Sequence, residues 1–324
     1  MLRRVIVTAL FAAGLLSQET ALAQYPAKPV HVVVPYPAGG AVDAFARVLS
    51  QKLSEMWAQQ VVVDNRPGAS TTIGAEHVAK SLPDGCTLLL TAELTLAIVP
   101  HLYEKIPYEP LRDFAPVIAL VSATQALVAN PSLPVKTVKD LIALAKAKPG
   151  QLTYGSFGNG STGHLNMEVL EAMTGARFNH IPYSGAGPAL NDVIGGHIGF
   201  MLAALSIVKG NVESGKLRMI GVGSAHRSSE FPDVPTISES GVPGYEAKSW
   251  FGLLAPAGTP PDIIKKINRD VMQVLSDRAF ADKYLAAQGL ESIAGTPEDF
   301  AALIRAETLR WGKVVNDANL KPLR

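Results

Sequence analysis

Two glycine-rich loops carry the residues whose types and spacing could hold an anion. Residues 35–43 read PYPAGGAVD and residues 153–165 read TYGSFGNGSTGHL, and each loop follows an apolar run and precedes an amphipathic pattern. In the order strand, glycine loop, helix, the first backbone N–H groups of the helix lack partners within it and lie at the positive end of its dipole. The sequence therefore predicts that each loop offers donors to a negatively charged group.

The predicted donors are neutral. They are the backbone N–H groups of residues 38–41 in the first loop, and the N–H groups and hydroxyls around Ser156, Ser161 and Thr162 in the second. A charge-assisted hydrogen bond to an anion contributes roughly 1.5–3 kcal/mol, so three or four of them supply micromolar affinity after the costs of association. Such donors match carboxylate oxygens, and no buried Arg or Lys is required.

Three further residues adjoin these loops. Tyr36 and Tyr183 stand next to them and are expected either to cover the ligand or to wall the cleft. Asp43 lies three residues past Gly40, in the first turn of the predicted helix. An acid there either caps N–H groups and interacts with the dipole, or contacts a ligand hydroxyl, an amine or a bridging water.

Other chemistries fit the loops less well. Residues 158–163 match G-x-G-x-x-G, but a dinucleotide site needs an acid at the end of the next strand, where residues 180–183 read HIPY. No P-loop lysine is present, and a hydrolase elbow would need Gly where Asn159 stands. Ser161 and His164 leave open an exported serine hydrolase as the alternative. No histidine spacing predicts a metal site, and no cofactor is expected.

Composition and the start of the chain limit the class of protein. The 324 residues include 29 Lys and Arg against 28 Asp and Glu, so no basic excess predicts nucleic acid as a partner. A basic start, an apolar stretch and A-x-A at 21–23 predict a signal peptide over residues 1–23, cleaved after Ala23, and export to the periplasm. The single cysteine, Cys86, excludes an intramolecular disulfide and is expected to be a buried apolar residue.

Short apolar runs alternate with helical patterns along the chain, which predicts an α/β fold with right-handed crossovers. Runs that are apolar throughout predict strands buried on both faces, at 30–34, 61–63, 88–91, 152–154, 178–181, 198–202 and 217–222. Helical patterns lie at 42–57, 73–81, 138–148, 165–174, 189–194, 263–276, 279–288 and 300–315. No strand is expected after residue 260, so the C-terminal third is interpreted as a helical cover on one lobe.

Two long extended stretches, 116–129 and 246–255, do not fit this alternation. If both cross between lobes, the chain enters a second lobe near residue 123 and leaves it near 249. The predicted division is lobe 1 at 24–123 and 250–324, and lobe 2 at 124–249. Two crossings form a hinge, and the ligand is expected in the cleft between the lobes. Trp250 lies in the return crossing, where it either reports closure or packs as core.

Several motifs, in order along the chain, resemble those of the Bug or TctC-type extracytoplasmic receptors of tripartite tricarboxylate transporters. They are P-Y-P-A-G-G-x-x-D at 35–43, V-D-N-R-P-G-A at 63–69, P-D-G-x-T-L-L at 83–89 and Y-G-S-x-G-x-G-S-x-x-H-L at 154–165. The resemblance implies a two-lobed periplasmic binding fold of type II, a Venus flytrap with two hinge crossings. It also implies a monomeric receptor, not an enzyme, that closes on a carboxylate and delivers it to a membrane permease.

The same resemblance implies ligand contacts in both loops and at the end of the third strand. The implied residues are Tyr36, Ala38, Gly39, Gly40, Asp43, Thr91, Ala92, Ser156, Ser161, Gly163, His164 and Tyr183. The chain departs from the family pattern where Ser184 replaces a basic residue, where residues 70–72 read STT in place of glycines, and where Gly199 replaces an acid. The two opposed helix starts favour a ligand with two anionic ends, and the missing basic residue at 184 disfavours a tricarboxylate, so a dicarboxylate, small or aromatic, is expected. A ligand-sensing role would leave the same sequence.

Overall fold

One mixed sheet of ten strands runs through the computed structural model, which describes residues 25–286 and 289–317. The predicted signal peptide, residues 1–23, lies outside the described residues. The strands are β1 (Val30–Val34), β2 (Val61–Asn65), β3 (Thr87–Ala92), β4 (Phe114–Ala129), β5 (Thr153–Ser156), β6 (Asn179–Pro182), β7 (Phe200–Ala204), β8 (Arg218–Val222), β9 (Lys248–Pro256) and β10 (Leu290–Ser292).

Helices of very different length connect and cover these strands. They are α1 (Ala41–Trp57), α2 (Thr72–Ala79), α3 (Val99–Leu102), α4 (Pro110–Asp113), α5 (Val138–Ala147), α6 (Thr162–Thr174), α7 (Ala186–Ile194), α8 (Leu205–Glu213), α9 (Pro261–Ser276), α10 (Arg278–Phe280) and α11 (Pro297–Asp317). A 3₁₀ turn spans Ala69–Thr71, and wider π turns span Leu94–Ile98 and Ala281–Leu285. Among the described helices, none combines the length and apolar character needed to cross a bilayer.

The strand order is β2-β1-β3-β9-β4-β7-β5-β6, and β8 and β10 also pair with β4. The pairs β1–β2, β1–β3, β5–β6 and β5–β7 are parallel, whereas β9 runs antiparallel to both β3 and β4. The α/β alternation is confirmed. The two extended stretches predicted as crossings prove to be long strands of the sheet itself, so the sheet is mixed.

Strand β4 belongs to both halves of the sheet. Its pairing with β9 ends at Thr124 and Lys248, and its pairing with β7 begins at Gln125 and Ala204. The point at which β4 changes its pairing partner from β9 to β7 lies within one or two residues of the predicted lobe boundaries. The division into lobes itself stays a prediction.

Strands β1 and β3 of the first half are largely buried on both faces, as their sequences predict, whereas β2 at the edge of the sheet is not, and its Val62 is 41% exposed. Val32 packs in a cluster with Phe45 of α1 and Ile267 of α9. Val33, the next residue along β1, packs on the opposite face with Val78 of α2 and Phe300 of α11. Helices on both faces therefore hold the loops after β1 and β3 on one edge of the sheet.

The second half repeats this arrangement with its own helices. Leu127 of β4 packs with Leu141 of α5 and Leu170 of α6. The alternate residue Val128 faces Val193 of α7 and Val208 of α8. A fifth cluster joins Leu102 of α3, Leu165 of α6 and Trp311 of α11, so the C-terminal helix also packs against α6 of the second half.

Three local differences separate the structure from the predictions. Strand β10 lies beyond residue 260, where none was expected; it has three residues and forms by antiparallel pairing with β4. Helix α8 was not predicted, since Gly210 in its interior lowers the helix propensity of that stretch. The helix predicted over 279–288 does form over the described residues, but after α10 it continues as a wider π turn, and its last residues, 287–288, lie outside the described residues.

Candidate functional site

The loop after β1 leaves the start of α1 open. Gly39 has φ +87°, a left-handed conformation that favours glycine, and a Cβ at this position would meet nothing within 4 Å. Gly40 is the N-cap of α1, and no side chain caps it. Residues 37–40 are exposed. Ala38, Gly39 and Gly40 are therefore arranged as predicted, with backbone N–H groups at an uncapped helix start.

Asp43 holds this loop from within the lobe. Its Oδ2 accepts from Gly39 N at 2.8 Å and Arg47 Nε at 3.1 Å, and its Oδ1 accepts from Asn65 Nδ2 at 2.9 Å. Burial acts to raise the pKa of Asp43, but the bonds from Arg47, Gly39 and Asn65 outweigh it and hold that pKa below its ordinary value. Of the two roles predicted for Asp43, its contacts are those of a residue that braces the loop.

Hydroxyl groups cluster at the ends of the first strands. Thr91 Oγ1 lies 2.5 Å from Thr95 Oγ1, which donates to Thr71 Oγ1 at 2.8 Å, and Tyr36 OH lies 3.5 Å from Thr95 Oγ1. Burial raises the pKa of Tyr36 to about 12, so its hydroxyl stays protonated. Tyr36 and Thr91 were predicted as site residues, whereas Thr95 and Thr71 were not. Thr71 lies in the STT run at 70–72, which the sequence singled out only as a departure from the family pattern.

Ala92 is buried at the end of β3, and the residue after it carries an unpredicted carboxyl group. Glu93 is fully buried, and its Oε2 accepts from Ser249 Oγ at 2.8 Å and Trp250 N at 2.9 Å. Burial raises the pKa of Glu93 to about 7, although these two bonds act in the opposite direction. Among the described residues its Oε1 has no hydrogen-bond partner. Glu93 thus ties the end of β3 to the start of β9.

Ser156, at the end of β5, begins the second loop. It is fully buried, and its Oγ lies 2.6 Å from His180 Nε2 and accepts from Gly158 N at 3.2 Å. Ser161 is the N-cap of α6, and its Oγ accepts from His164 N at 3.4 Å. The next residue, Thr162, is half-buried. Ser156 therefore fixes the loop from within, while Ser161 and Thr162 form the helix start as predicted.

His164 is turned into the lobe. Its ring stacks on that of His180 with centroids 4.0 Å apart and planes 8° apart, and its Nδ1 accepts from Gly160 N at 3.0 Å. Burial and the neighbouring His164 ring lower the pKa of His180 to about 4. Because the Nδ1 lone pair of His164 is used by Gly160 and Ser161 contacts only the main chain of His164, the nucleophile and base of the hydrolase alternative are not brought together.

Gly163 and Tyr183 are engaged within their own lobe. A Cβ on Gly163 would lie 2.9 Å from Leu202 O, so close packing on β7 already requires glycine there. Tyr183 OH donates to Asp192 Oδ2 at 2.6 Å, and burial together with this carboxylate raises the pKa of Tyr183 to about 12. Ligand contact by either residue stays a prediction.

The second loop also rests on the first half of the molecule. Gly160 has φ +73°, and a Cβ there would overlap the side chain of Leu102, the last residue of α3. This contact is apolar, and it brings the loop before α6 against the segment that follows β3.

Other reactive groups in the described ranges do not form a second centre. No cluster of three or more His, Cys, Asp or Glu side chains within residues 25–286 and 289–317 could hold a metal ion. Cys86 is a buried free thiol, as expected, and burial raises its pKa.

Comparison with known proteins assigns this arrangement to a family. The model of the tripartite tricarboxylate transporter family receptor, TctC, matches residues 45–320. Protein BugT of Bordetella pertussis is 40% identical over 298 residues, which cover 92% of this chain and 91% of BugT.

Solved structures give the same result. A protein of R. palustris determined with adipate has a TM-score of 0.86 and 38% identity, covering 92% of this chain and 100% of that chain. MatC from Rhodopseudomonas palustris, determined with bound malate, has a TM-score of 0.80 and 30% identity, covering 90% of this chain and 100% of that chain. The predicted two-lobed periplasmic binding fold is thereby confirmed.

The exported-hydrolase alternative is set aside, because the matched family is one of transporter receptors and the structure does not bring Ser161 and His164 together as nucleophile and base. With the family model spanning most of the sequence and a relative at 40% identity over nearly the whole length of both chains, the chain belongs to the TctC or Bug family of tripartite tricarboxylate transporter receptors.

Proposed function

We propose that this receptor captures an organic carboxylate between its two lobes, most favourably a dicarboxylate, and delivers it to the permease of a tripartite tricarboxylate transporter. The uncapped start of α1 at Gly40, beside an exposed left-handed Gly39, carries the proposal. Free N–H groups at a helix start attract an anion. The R. palustris protein solved with adipate and MatC with malate support the ligand class.

A second helix start, at Ser161 and Thr162, would meet the other end of the ligand. Two such groups of donors favour a ligand with an anionic group at each end. Ser184 is exposed and uncharged where the family pattern has a basic residue, which removes a partner for a third carboxylate. A dicarboxylate, small or aromatic, therefore fits better than a tricarboxylate.

Within this proposal the thirteen predicted residues divide into three roles. The backbone N–H groups of Ala38 and Gly40 and the hydroxyls of Ser161 and Thr162 have positions suited to contact the ligand, whereas the N–H of Gly39 is held by Asp43. The polar atoms of Asp43, Ser156, His164 and Tyr183 are engaged inside their lobes, so we expect these residues to hold the loops. Tyr36, Thr91 and Ala92 would line the bottom of the cleft in the first half. Gly163 would allow α6 to pack closely on β7 in the second half.

A thermal and calorimetric titration tests the ligand class. Purified mature protein is titrated with succinate, malate, adipate, phthalate and citrate, with adipamide as the uncharged control for adipate. A ligand at 100 times its dissociation constant should raise the free energy of unfolding by about 2.7 kcal/mol. At least one dicarboxylate should do so and citrate and adipamide should not. No stabilisation by any acid would reject the proposal.

Lobe closure, export and delivery need separate measurements. Closure of lobe 1 (24–123 and 250–324) on lobe 2 (124–249) should decrease the radius of gyration in X-ray scattering when the ligand is added.

Mass spectrometry of the periplasmic fraction should find a chain that begins at residue 24. Uptake of the radiolabelled acid should fall when the receptor is deleted, whereas unchanged uptake would indicate a sensor.

A further inference from the structure

A chain of amide and hydroxyl groups connects the crossing between the lobes to the start of α6. Gln125 is 2% exposed and is the first residue of β4 that pairs with β7. Its Nε2 donates to Thr162 Oγ1 at 3.1 Å, and its Oε1 accepts from Asn166 Nδ2 at 3.3 Å. Thr162 and Asn166 are one helical turn apart on α6, so both ends of the Gln125 amide are held by the same helix.

The backbone of Gln125 is fixed just as tightly. Its N–H donates to Ala247 O at 3.1 Å, and its carbonyl accepts from Gly223 N at 2.7 Å. Gly223 in turn accepts from Ala247 N at 2.8 Å, and a Cβ on Gly223 would lie 2.6 Å from Ala247 O. Both chain crossings and the end of β8 thus meet at the backbone of Gln125, while its buried side chain is held by its two bonds to α6.

The hydrogen-bond donors and acceptors of Thr162 can be assigned from these contacts. A threonine hydroxyl has one proton and can accept at its oxygen. Because Thr162 Oγ1 accepts the amide proton of Gln125, its own proton must point to another acceptor. Within residues 25–286 and 289–317, Gln125 is the hydrogen-bond partner found for this hydroxyl. Thr162 is half-buried at the first position of α6, where the free N–H groups of the helix also point.

We infer that Gln125 is a positioning residue that turns the Thr162 hydroxyl outward as a donor to a carboxylate oxygen. The inference rests on the proposed function, since it deepens the second-lobe half of the same site. It assigns part of the carboxylate affinity to a residue in the crossing strand rather than in either loop. The bound anion would then be linked through Thr162 and Gln125 to the segment about which the lobes move.

The substitution Gln125→Glu tests the direction of the Thr162 proton. A carboxylate at this position can only accept, so the hydroxyl would turn toward it and leave the ligand. The probe is the acid of the titration panel that binds most tightly, measured by calorimetry at pH 8 and pH 5. Loss of one charge-assisted bond should weaken binding roughly tenfold to hundredfold at pH 8. Protonation at lower pH restores a donor and should recover most of the affinity relative to the parent protein.

A double-mutant cycle separates this effect from simple charge repulsion. In a Thr162→Val background, Gln125→Glu should change the affinity by less than about threefold, because the hydroxyl it acts on is gone. Thr162→Ser keeps a hydroxyl and should bind within about threefold of the parent protein. Thr174→Val, at the other end of α6, is the matched control and should leave the affinity unchanged; Thr174 Oγ1 donates to Leu170 O.

Each outcome bears on the inference. Unchanged affinity in Gln125→Glu at pH 8 and again at pH 10, where even a buried carboxyl group is ionised, would mean that Thr162 donates to residue 125, and an equal loss in the Thr162→Val background would mean repulsion through space. Either result overturns the inference and leaves the proposed function standing. Absence of binding by every acid in the panel overturns the proposed function and this inference with it.

Discussion

Glu93 and His180 are two internal groups whose pKa values move in opposite directions from their ordinary values. Burial raises the pKa of Glu93 from 4.5 to about 7, and Glu307 and Tyr36 are the titratable groups that interact with it. Burial and the stacked His164 lower the pKa of His180 from 6.5 to about 4. Glu93 is fully buried and His180 is half-buried, and loss of water around each side chain favours its neutral form, which for an acid means holding a proton and for an imidazole means losing one.

The two groups should give opposite pH dependences of stability. Glu93 binds more protons in the folded state between pH 4.5 and about 7, so its contribution is present at low pH and is lost as the pH rises through about 7. His180 binds fewer protons in the folded state between pH 6.5 and about 4, so its contribution is present above 6.5 and is lost as the pH falls. Each slope is at most about 1.4 kcal/mol per pH unit.

Urea unfolding of Glu93→Gln and His180→Gln from pH 4.5 to 7.5 measures these slopes. Relative to the parent protein, Glu93→Gln should gain stability as the pH rises, and His180→Gln should lose it. In the parent protein the two contributions largely cancel over this range. Parallel curves for either variant and the parent would show that the corresponding group titrates as it does in the unfolded chain.

At the scale of elements, the docking of α11 on the sheet depends on a position without a side chain. Gly252 lies in the middle of β9, and a Cβ there would overlap the ring of Phe300. Phe300 is fully buried and packs edge to face against Trp250, with ring centroids 5.6 Å apart. Trp250 is 5% exposed, so of its two predicted roles the structure places it in the core.

The substitution Gly252→Ala should therefore lower the free energy of unfolding by about 1–3 kcal/mol, because the ring of Phe300 must move. Gly187→Ala in α7 is the matched control. A Cβ on Gly187 meets nothing within 4 Å, so the change should be neutral or stabilise the helix by up to about 1 kcal/mol. Denaturant midpoints of the two variants check the difference, and equal midpoints would contradict the close packing of α11 on β9.

At the scale of the whole molecule, packing joins the two halves beside the strands that cross between them. Leu102 is 4% exposed in the cluster with Leu165 and Trp311, and it also supports Gly160 in the loop before α6. These residues come from segments more than 50 positions apart in the chain. One side chain thus contacts the first half, the second half and the C-terminal helix.

Leu102→Ala should lower the free energy of unfolding by about 2–5 kcal/mol, since the cavity left at this three-way contact can refill only partly. Leu309→Ala on α11 is the control, because Leu309 is 77% exposed and its loss should change stability by less than about 0.5 kcal/mol. Urea unfolding followed by tryptophan fluorescence measures both. A loss below 1 kcal/mol for Leu102→Ala would show that the halves are held by the crossing strands alone.

Local signals in the sequence determined much of this protein. The apolar runs predicted nine of the ten described strands, two of them as extended crossings, because a strand covered on both faces must be largely apolar; the edge strands β2 and β6 carry the same signal although they are partly exposed. Thr137 and Asp140 form a capping box, a contact within one helical turn that the T-x-x-D spacing at 137–140 specifies locally. The two glycine loops stand at the predicted helix starts, since left-handed turns select glycine locally.

Tertiary structure alone decided which side chains meet across the sheet. Glu93 bonds to Ser249 and Trp250 more than 150 residues away, and Gln125 reaches Thr162 over 37 positions. Such pairs follow from the strand order and register, which hydrophobic patterns do not encode, and β10 exists because β4 offers it an edge. The sequence alone determined which helix starts are suited to an anion. The order and register of the strands decided which side chains orient and support those helix starts.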